Sequence, residues 1–192
     1  MRMFVGITPS EEVIDSLDTF LAPRREHGDL RWSDPDQFHI TLAFCADVPE
    51  RSLDAFGERL TEAAARHTPF PLRLSGGGTF PDPDRAKHVY AALDLSQASS
   101  VALHSLSAAT RAAATTSGIE VAGGPYKPHL TIARSGRPFS AIRWLRVLEG
   151  FGSPSWTVEE IHLVESHLGE GRERRPRYDT IETYPLGQGR LD

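Results

Sequence analysis

The sequence predicts an α+β fold in which two pseudo-symmetric lobes lie around one central cleft. The chain has 192 residues, which fits one medium domain or two small fused units at a usual domain size of about 150 residues. Predicted strands and helices follow one another in the same order in both halves. Each half also carries one His-x-Thr sequence within a predicted strand. Duplication of one unit explains this repeat more simply than chance.

The first half begins with a short run of β-formers that stops at Pro9. Ser10 is suited to be a helix N-cap, because Glu11 and Glu12 follow in the first turn, where the helix dipole favours acidic side chains. The pattern of this half predicts, in order, a strand over residues 3–8, a helix after Ser10, a strand over 38–44, a helix over 50–66 and a strand over 70–74. The three glycines at 76–78 predict a flexible turn between the lobes.

The second half repeats the order of the first. The predicted elements are a strand over residues 88–93, a helix over 99–116, a strand over 128–133, a helix over 140–148 and closing strands over 157–166 and 178–184. We therefore predict a single bilobal domain over residues 1–192, with lobes at about 1–80 and 85–185. Exchange of strands between the lobes stays open.

The composition excludes several classes of protein. Hydrophobic residues make up 39% of the chain, which predicts a buried core. The net charge of −5 argues against a protein that coats nucleic acid through massed phosphate contacts. It leaves room for a local basic pocket. The single cysteine, Cys45, rules out an internal disulfide framework and a thiolate metal cluster.

The sequence also predicts where the protein is found. No apolar run approaches the roughly 20 residues needed to cross a bilayer. The N-terminal residues enter a predicted strand at once and lack the apolar core of a signal peptide. We expect a cytoplasmic protein without membrane attachment.

The two His-x-Thr strands carry the predicted chemistry. Side chains at positions i and i+2 of a strand share one face, so His39 lies on the same face as Thr41, and His129 on the same face as Thr131. Two histidines with no fixed metal partner suit paired acid–base catalysis, in which one accepts a proton while the other donates one. The threonine hydroxyls can bond non-bridging phosphoryl oxygens, and Arg134 can add a charged fork.

Other readings of the histidines receive less support. A metal-dependent hydrolase is disfavoured, because no His-Glu-x-x-His sequence occurs and neither main histidine has metal-ligand spacing. A non-catalytic module that binds RNA ends stays open. We expect structural or solvated roles for the other six histidines, of which His167 is the least certain because it lies near an arginine cluster: His27, His67, His88, His104, His162 and His167.

The residues around both motifs resemble a known family. The runs Phe38-His39-Ile40-Thr41-Leu42-Ala43-Phe44 and Tyr126-Lys127-Pro128-His129-Leu130-Thr131-Ile132-Ala133-Arg134 are similar to the two signatures of the 2H phosphoesterase superfamily. Within it, the chain most resembles the bacterial and archaeal RNA 2′,3′-cyclic phosphodiesterases, historically called 2′-5′ RNA ligases. The resemblance extends over nearly the whole chain.

The resemblance implies a fold and an activity. The fold is two lobes, each an antiparallel sheet with helices on its outer face, around a central cleft. The activity is metal-independent and cofactor-free opening of 2′,3′-cyclic phosphates at RNA ends to 2′-phosphomonoesters, with reverse 2′-5′ ligation. His39 would be the general acid and His129 the general base, with Thr41, Thr131 and Arg134 on the phosphate. A related activity on a small cyclic nucleotide or a 2′-5′ linkage is the alternative.

The substrate contacts outside the motifs are predicted less specifically. Phe4 and Tyr126 are candidates for base stacking, although packing roles fit them equally well. Arginines in the segment 169–177 could guide RNA into the cleft or could belong to a solvated mixed-charge loop. We expect RNA or a small cyclic nucleotide as the partner, no obligate protein partner, and a monomer, because one chain supplies both motifs.

Overall fold

The computed structural model describes residues 1–26 and 28–187, and nine strands and four α-helices lie within them. The strands are β1 (Met3–Ile7), β2 (Arg31–Trp32), β3 (Ile40–Cys45), β4 (Phe70–Phe80), β5 (Ala86–Leu93), β6 (Leu130–Phe139), β7 (Gly152–Val158), β8 (Glu160–His167) and β9 (Arg177–Pro185). The helices are α1 (Glu11–Leu21), α2 (Leu53–Ala65), α3 (Gln97–Thr116) and α4 (Ile142–Leu148). The predicted α+β class is confirmed.

All strands pair antiparallel in the order β7-β4-β5-β6-β3-β1-β8-β9, and β2 pairs with β6 beside β3. The strands β7, β4, β5 and β6 form one part of the sheet, and β3, β1, β8 and β9 form the other. A single residue pair, Ile40 with Leu130, joins β3 to β6. The parts do not follow a division of the chain near residues 80–85, because β4 lies with β5 whereas β8 and β9 lie with β1.

The helices cover the face of the sheet that the alternation predicts to be apolar. Ile40 and Leu42 of β3 are buried, as are Leu130 and Ile132 of β6. Burying each such side chain stabilises the fold by roughly 1.5–3 kcal/mol. Helix α3 packs against β3, α2 against α3 and β9, α1 against β7, and α4 against β4. The opposite face of β3 and β6 is therefore left for the polar members of the motifs.

Local signals set the starts of α1 and α3: the predicted Ser10 cap is confirmed, whereas α3 begins at Gln97, two residues before the predicted start. The Ser10 hydroxyl accepts a hydrogen bond from the Val13 amide at 3.4 Å, and Ser96 caps α3 through the Ser99 amide at 3.1 Å.

Within the described part of the chain, no helix combines the length and the hydropathy that a membrane span requires.

The glycines at 76–78 correct the predicted turn, because they lie inside β4, where Gly77 and Gly78 pair with β5 and Gly76 falls in a bulge at a φ of 70°. A Cβ atom added to Gly78 would stand 2.2 Å from the ring of Tyr90, and one added to Gly77 would stand 2.3 Å from Leu148. The missing side chains make room for neighbours on β5 and α4. Gly77 and Gly78 therefore serve packing across the sheet.

The predicted strand over residues 157–166 is also corrected. Two strands cover this region, since β7 ends at Val158 and β8 begins at Glu160. Strand β7 pairs with β4 at one end of the sheet, whereas β8 pairs with β1 and β9 near the other. The chain crosses between the parts of the sheet at Glu159, which has no glycine or proline beside it to signal the break.

Candidate active site

The two His-x-Thr motifs meet at the junction between β3 and β6. Each histidine directly precedes its strand, and the strands run antiparallel through the pair of Ile40 and Leu130. One residue to either side of this pair, the histidine of each motif lies opposite the threonine of the other. The cross-strand partners are therefore His39 with Thr131, and His129 with Thr41.

Backbone carbonyls hold both imidazoles in the same tautomer. His39 Nδ1 donates to the Gln37 carbonyl at 2.7 Å, and His129 Nδ1 donates to the Lys127 carbonyl at 2.6 Å. Since a carbonyl only accepts, the neutral form of each ring keeps its lone pair on Nε2. The Thr41 hydroxyl donates to His39 Nε2 at 3.1 Å. Both histidines thus present Nε2 for proton transfer.

Each histidine also lies against a phenylalanine and a tyrosine. The His39 ring stacks on Phe4 with centroids 4.3 Å apart and meets the edge of Tyr178 at 5.5 Å. The centroid of the His129 ring lies 4.8 Å from that of Phe80 and 5.2 Å from that of Tyr90. Of these four aromatic residues, the sequence pointed only to Phe4. The other three lie far from the motifs along the chain. For Tyr90, the internal repeat offered a signal, because Phe4 and Tyr90 both lie on the first strand of their half.

These surroundings keep both histidines neutral. Burial lowers the pKa of His39 to about 4; the bond to the Gln37 carbonyl opposes this effect, and the charges of Arg134 and His129 add to it. Burial likewise lowers the pKa of His129, with the Lys127 carbonyl opposing and Arg134 adding. Without substrate at pH 7, both rings can accept a proton at Nε2.

A β-bulge brings Arg134 to the face that carries the motif. Three residues separate Arg134 from Thr131, so strict alternation would place them on opposite faces. Thr131 pairs with Tyr90, and Ala133 pairs with Val89. Strand β6 therefore has one more residue than β5 between these two pairs. Bulges commonly re-aim a side chain beside an active site. Arg134 is exposed, and its charge lowers the pKa values of His39, His88 and His129.

Each cross-strand pair lines its own cavity. His39 and Thr131 line a cavity of about 540 Å³ together with Arg134 and Tyr178. Thr41 and His129 line a second cavity, of about 400 Å³, together with Phe80, Tyr126 and Lys127. The motifs therefore lie between two spaces, each large enough for ligand groups.

The two predicted stacking residues lie in different surroundings. Phe4 is only 5% exposed and packs on His39 without lining either cavity. This packing is the other role that the sequence left open for Phe4, and base stacking by Phe4 stays a prediction. Tyr126 lines the second cavity, and burial raises the pKa of its hydroxyl. Stacking by Tyr126 stays a prediction.

The arginine-rich segment 169–177 forms a wall of the first cavity. Arg175 pairs with Asp34 and with Glu173 at 2.9 Å, and the Gln37 amide donates to the Pro176 carbonyl at 2.6 Å. These contacts fasten the segment to the residues that precede His39. Arg174 lines the cavity, whereas Arg177 pairs with Glu170 and Asp179. The segment thus lines the cavity, as a role in guiding RNA requires, and it also contains the ion pairs expected of a mixed-charge loop.

The remaining histidines lie outside the motif junction, with one exception. His88 is directly opposite Arg134 in the sheet. His167 lies among Glu165, Glu170 and Asp179 at 3.6, 3.9 and 3.1 Å. No group of histidine, cysteine and acidic side chains in the described residues has the arrangement of a metal site. The expectation for His27 concerns a residue outside the described ones.

Comparison with known proteins decides the family. A family model described as the 2′-5′ RNA ligase superfamily matches residues 10–170. The chain belongs to this superfamily. Its relatives include enzymes named as RNA 2′,3′-cyclic phosphodiesterases, so the predicted recognition is confirmed.

Two relatives and one solved structure show how far the similarity extends. An RNA 2′,3′-cyclic phosphodiesterase of Thermus thermophilus is 31% identical over 191 residues, covering 97% of this chain and 90% of the relative. One of Geobacillus stearothermophilus is 29% identical over 95% of this chain but only 56% of the relative, so the chain spans little more than half of that protein. The crystal structure of TT0787 of Thermus thermophilus has a TM-score of 0.76 at 25% identity, over 98% of this chain and 100% of that one. The fold of that structure therefore extends over nearly the whole chain.

Proposed function

We propose that this member of the superfamily hydrolyses 2′,3′-cyclic phosphates at RNA ends to 2′-phosphomonoesters by acid–base catalysis between His39 and His129. One observation carries the proposal. Two imidazoles meet at one strand junction, and a backbone carbonyl ties each Nδ1 so that both Nε2 atoms serve proton transfer. The relatives named as RNA 2′,3′-cyclic phosphodiesterases support the substrate class. Proton transfer of this kind requires no metal or cofactor.

The proposed step balances in atoms and protons. His129 Nε2 takes a proton from water as the water oxygen bonds to phosphorus. The bond from phosphorus to the 3′-oxygen breaks, and protonated His39 gives its Nε2 proton to that oxygen. The product carries a 2′-phosphate and a 3′-hydroxyl, and the two histidines exchange their protons with solvent before the next turnover. With the 5′-hydroxyl of a second RNA in place of water, the same two transfers would form a 2′-5′ linkage and leave a free 3′-hydroxyl.

Thr41 changes partner in this scheme. In the substrate-free structure its hydroxyl donates to His39 Nε2. Once Nε2 carries a proton, that nitrogen no longer accepts, and the Thr41 hydroxyl is released to bond a phosphoryl oxygen. Thr131 and Arg134 complete the set of donors, which stabilise the charge on the phosphoryl group as it reacts.

The role of His39 as an acid depends on the substrate. With a pKa of about 4, the ring is neutral at pH 7 when the cleft is empty. An anionic phosphate beside the imidazole favours its charged form and raises the pKa. Substrate binding therefore supplies the proton-bearing state that the leaving oxygen requires.

The two cavities favour a second candidate, an activity on 2′-5′-linked nucleotides. A phosphate held between the motifs would have space for one nucleoside on each side, in the cavities of about 540 and 400 Å³. Because one chain supplies both motifs, we propose that a single bilobal domain acting as a monomer suffices, without a protein partner.

Turnover of a short RNA with a 2′,3′-cyclic end, measured in chelator, tests the proposal. NMR of the product reads the position of the phosphate. Changing either His39 or His129 to alanine should lower kcat by about two orders of magnitude or more. His67→Ala, at a histidine that lines neither cavity, is the matched control. Full activity in the double variant would overturn the proposal, and binding without turnover would identify a non-catalytic module.

A further inference from the structure

Arg31 and Arg134 lie directly opposite each other on the neighbouring strands β2 and β6. Both side chains are exposed and both line the cavity of about 540 Å³. Like charges directly opposite each other destabilise a sheet. Within residues 1–26 and 28–187, neither arginine has a carboxylate within ion-pair distance. The charge of this pair is therefore not neutralised by the described part of the protein.

The nearby carboxylates are already occupied. Glu173 lines the same cavity, but both it and Asp34 pair with Arg175. On its other side, Arg134 lies opposite His88 of β5. Imidazole and two guanidinium groups thus form a row across three strands of a chain whose net charge is −5. A row of this kind, in an acidic protein, is suited to an anionic ligand.

A single phosphate does not account for the whole row. The reacting phosphate already has Thr41, Thr131 and Arg134 as donors in the proposed mechanism. Arg31 lies on the neighbouring strand, lines the same cavity and adds a second guanidinium beside that of Arg134. On an RNA with a 2′,3′-cyclic end, the nearest other anion is the phosphate on the 5′-oxygen of the same terminal nucleotide.

We propose that Arg31 binds this second phosphate, so that the cavity engages two successive phosphates of an RNA end. The proposal rests on the proposed function for the position of the first phosphate. Arg31 is then a specificity residue: it distinguishes an RNA end from a nucleoside cyclic phosphate that has no 5′-phosphate, and it has no part in proton transfer.

The test compares Arg31→Ala with the unchanged protein on three substrates: a nucleoside 2′,3′-cyclic phosphate, the same compound with a 5′-phosphate, and a dinucleotide with a cyclic end. We expect KM for the dinucleotide to rise about tenfold with kcat unchanged, the size of one charge-assisted hydrogen bond. Both constants should stay the same for the nucleoside compound. An equal rise with the 5′-phosphorylated compound would assign the site to any 5′-phosphate, and a rise with the dinucleotide alone would assign it to the internucleotide linkage.

Two controls separate the local contact from general charge. Arg51→Ala removes one exposed arginine that lines neither cavity, and it should leave KM unchanged. A dinucleotide with an uncharged methylphosphonate linkage should show the same KM with and without Arg31. For the ordinary dinucleotide, the slope of log KM against log salt should fall by about 0.7, the value for one phosphate contact on a single strand.

The outcomes separate this proposal from the proposed function. If Arg31→Ala turns over each of the three substrates with the same KM as the unchanged protein, the second phosphate site is overturned and the proposed function stands. Failure of the unchanged protein to turn over any of them would overturn the proposed function. A loss of kcat in Arg31→Ala on the nucleoside compound would place Arg31 at the reacting phosphate instead and would overturn the assignment.

Discussion

The imidazole of His39 lies nearly parallel to the ring of Phe4, with the centroids 4.3 Å apart and the planes inclined by 23°. Tyr178 meets both rings edge-on, at 5.1 Å from Phe4 and 5.5 Å from His39. The aromatic rings exclude water from His39, and burial is the main reason that its pKa falls to about 4. Two residues outside the motif therefore contribute to the acidity of the motif histidine.

Phe4→Leu should raise the pKa of His39 toward its ordinary value, because the smaller side chain opens one ring face to water. We expect the free energy of unfolding to fall by roughly 1–2 kcal/mol, less than the 3–5 kcal/mol typical of Phe→Ala in a core. An NMR titration of the His39 ring measures the pKa. Phe56→Leu, at a buried core position on α2, is the matched control, and an unchanged His39 pKa in Phe4→Leu would contradict the packing argument.

The pH profile of kcat/KM should be a bell displaced to the acidic side. This ratio reports the pKa values of the free enzyme, and those of both histidines lie below the ordinary value of 6.5. We expect the acidic limb at about 4 and the alkaline limb below 6.5, because above it neither ring carries the proton that the leaving group needs. The limbs of the kcat profile should lie at higher pH than those of kcat/KM, since bound phosphate raises the pKa values of both histidines. Rates from about pH 3 to about pH 8 decide this; an alkaline limb of kcat/KM above about 7 would be incompatible with it.

Arg134→Gln should change both acidity and affinity. Its positive charge lowers the pKa values of His39 and His129, so its removal should move both limbs of the kcat/KM profile to higher pH. Loss of a charged contact to the phosphate should also lower kcat/KM by roughly ten- to a hundredfold. Arg51→Gln provides a control for net charge. Weaker activity with unmoved limbs would show that Arg134 acts on the phosphate alone.

Gly78→Ala should disturb His129 through Tyr90. The added methyl group would stand 2.2 Å from the Tyr90 ring, whose centroid lies 5.2 Å from that of His129. We expect overpacking of about 1–3 kcal/mol and a shifted His129 resonance by NMR. Gly136→Ala has no atom within 4 Å of the new carbon and should change neither quantity. Wild-type resonances in Gly78→Ala would argue against contact through Tyr90.

Local signals in the sequence predicted the elements that carry the motifs. Alternation placed Thr41 and Thr131 opposite the buried Ile40 and Leu130, and a serine cap marked the start of α1. These features depend on residues a few positions apart, so a single sequence contains them. The two motif strands begin two residues later than predicted, because each histidine precedes its strand, and β4 and β6 extend six residues farther than predicted.

Long-range contacts could not be predicted in the same way. The glycines of β4 resemble a turn until Tyr90 and Leu148 are seen to occupy the space above them. Arg134 reaches the motif face only through a bulge in β6, which depends on how β5 pairs. Tyr178 contacts His39 from the far end of the chain. Each of these relationships requires the folded sheet.

The short ladder between β3 and β6 has a consequence for the chemistry. Because backbone pairing between these strands is limited to Ile40 and Leu130, the chain just before each strand keeps its carbonyl groups free of a partner strand. The Gln37 and Lys127 carbonyls instead accept hydrogen bonds from the two imidazoles and orient them. A longer ladder would engage the backbone around the histidines and close the gap between the strands. The proposed catalytic space is thus a place where β-pairing stops, and backbone carbonyls there orient both imidazoles.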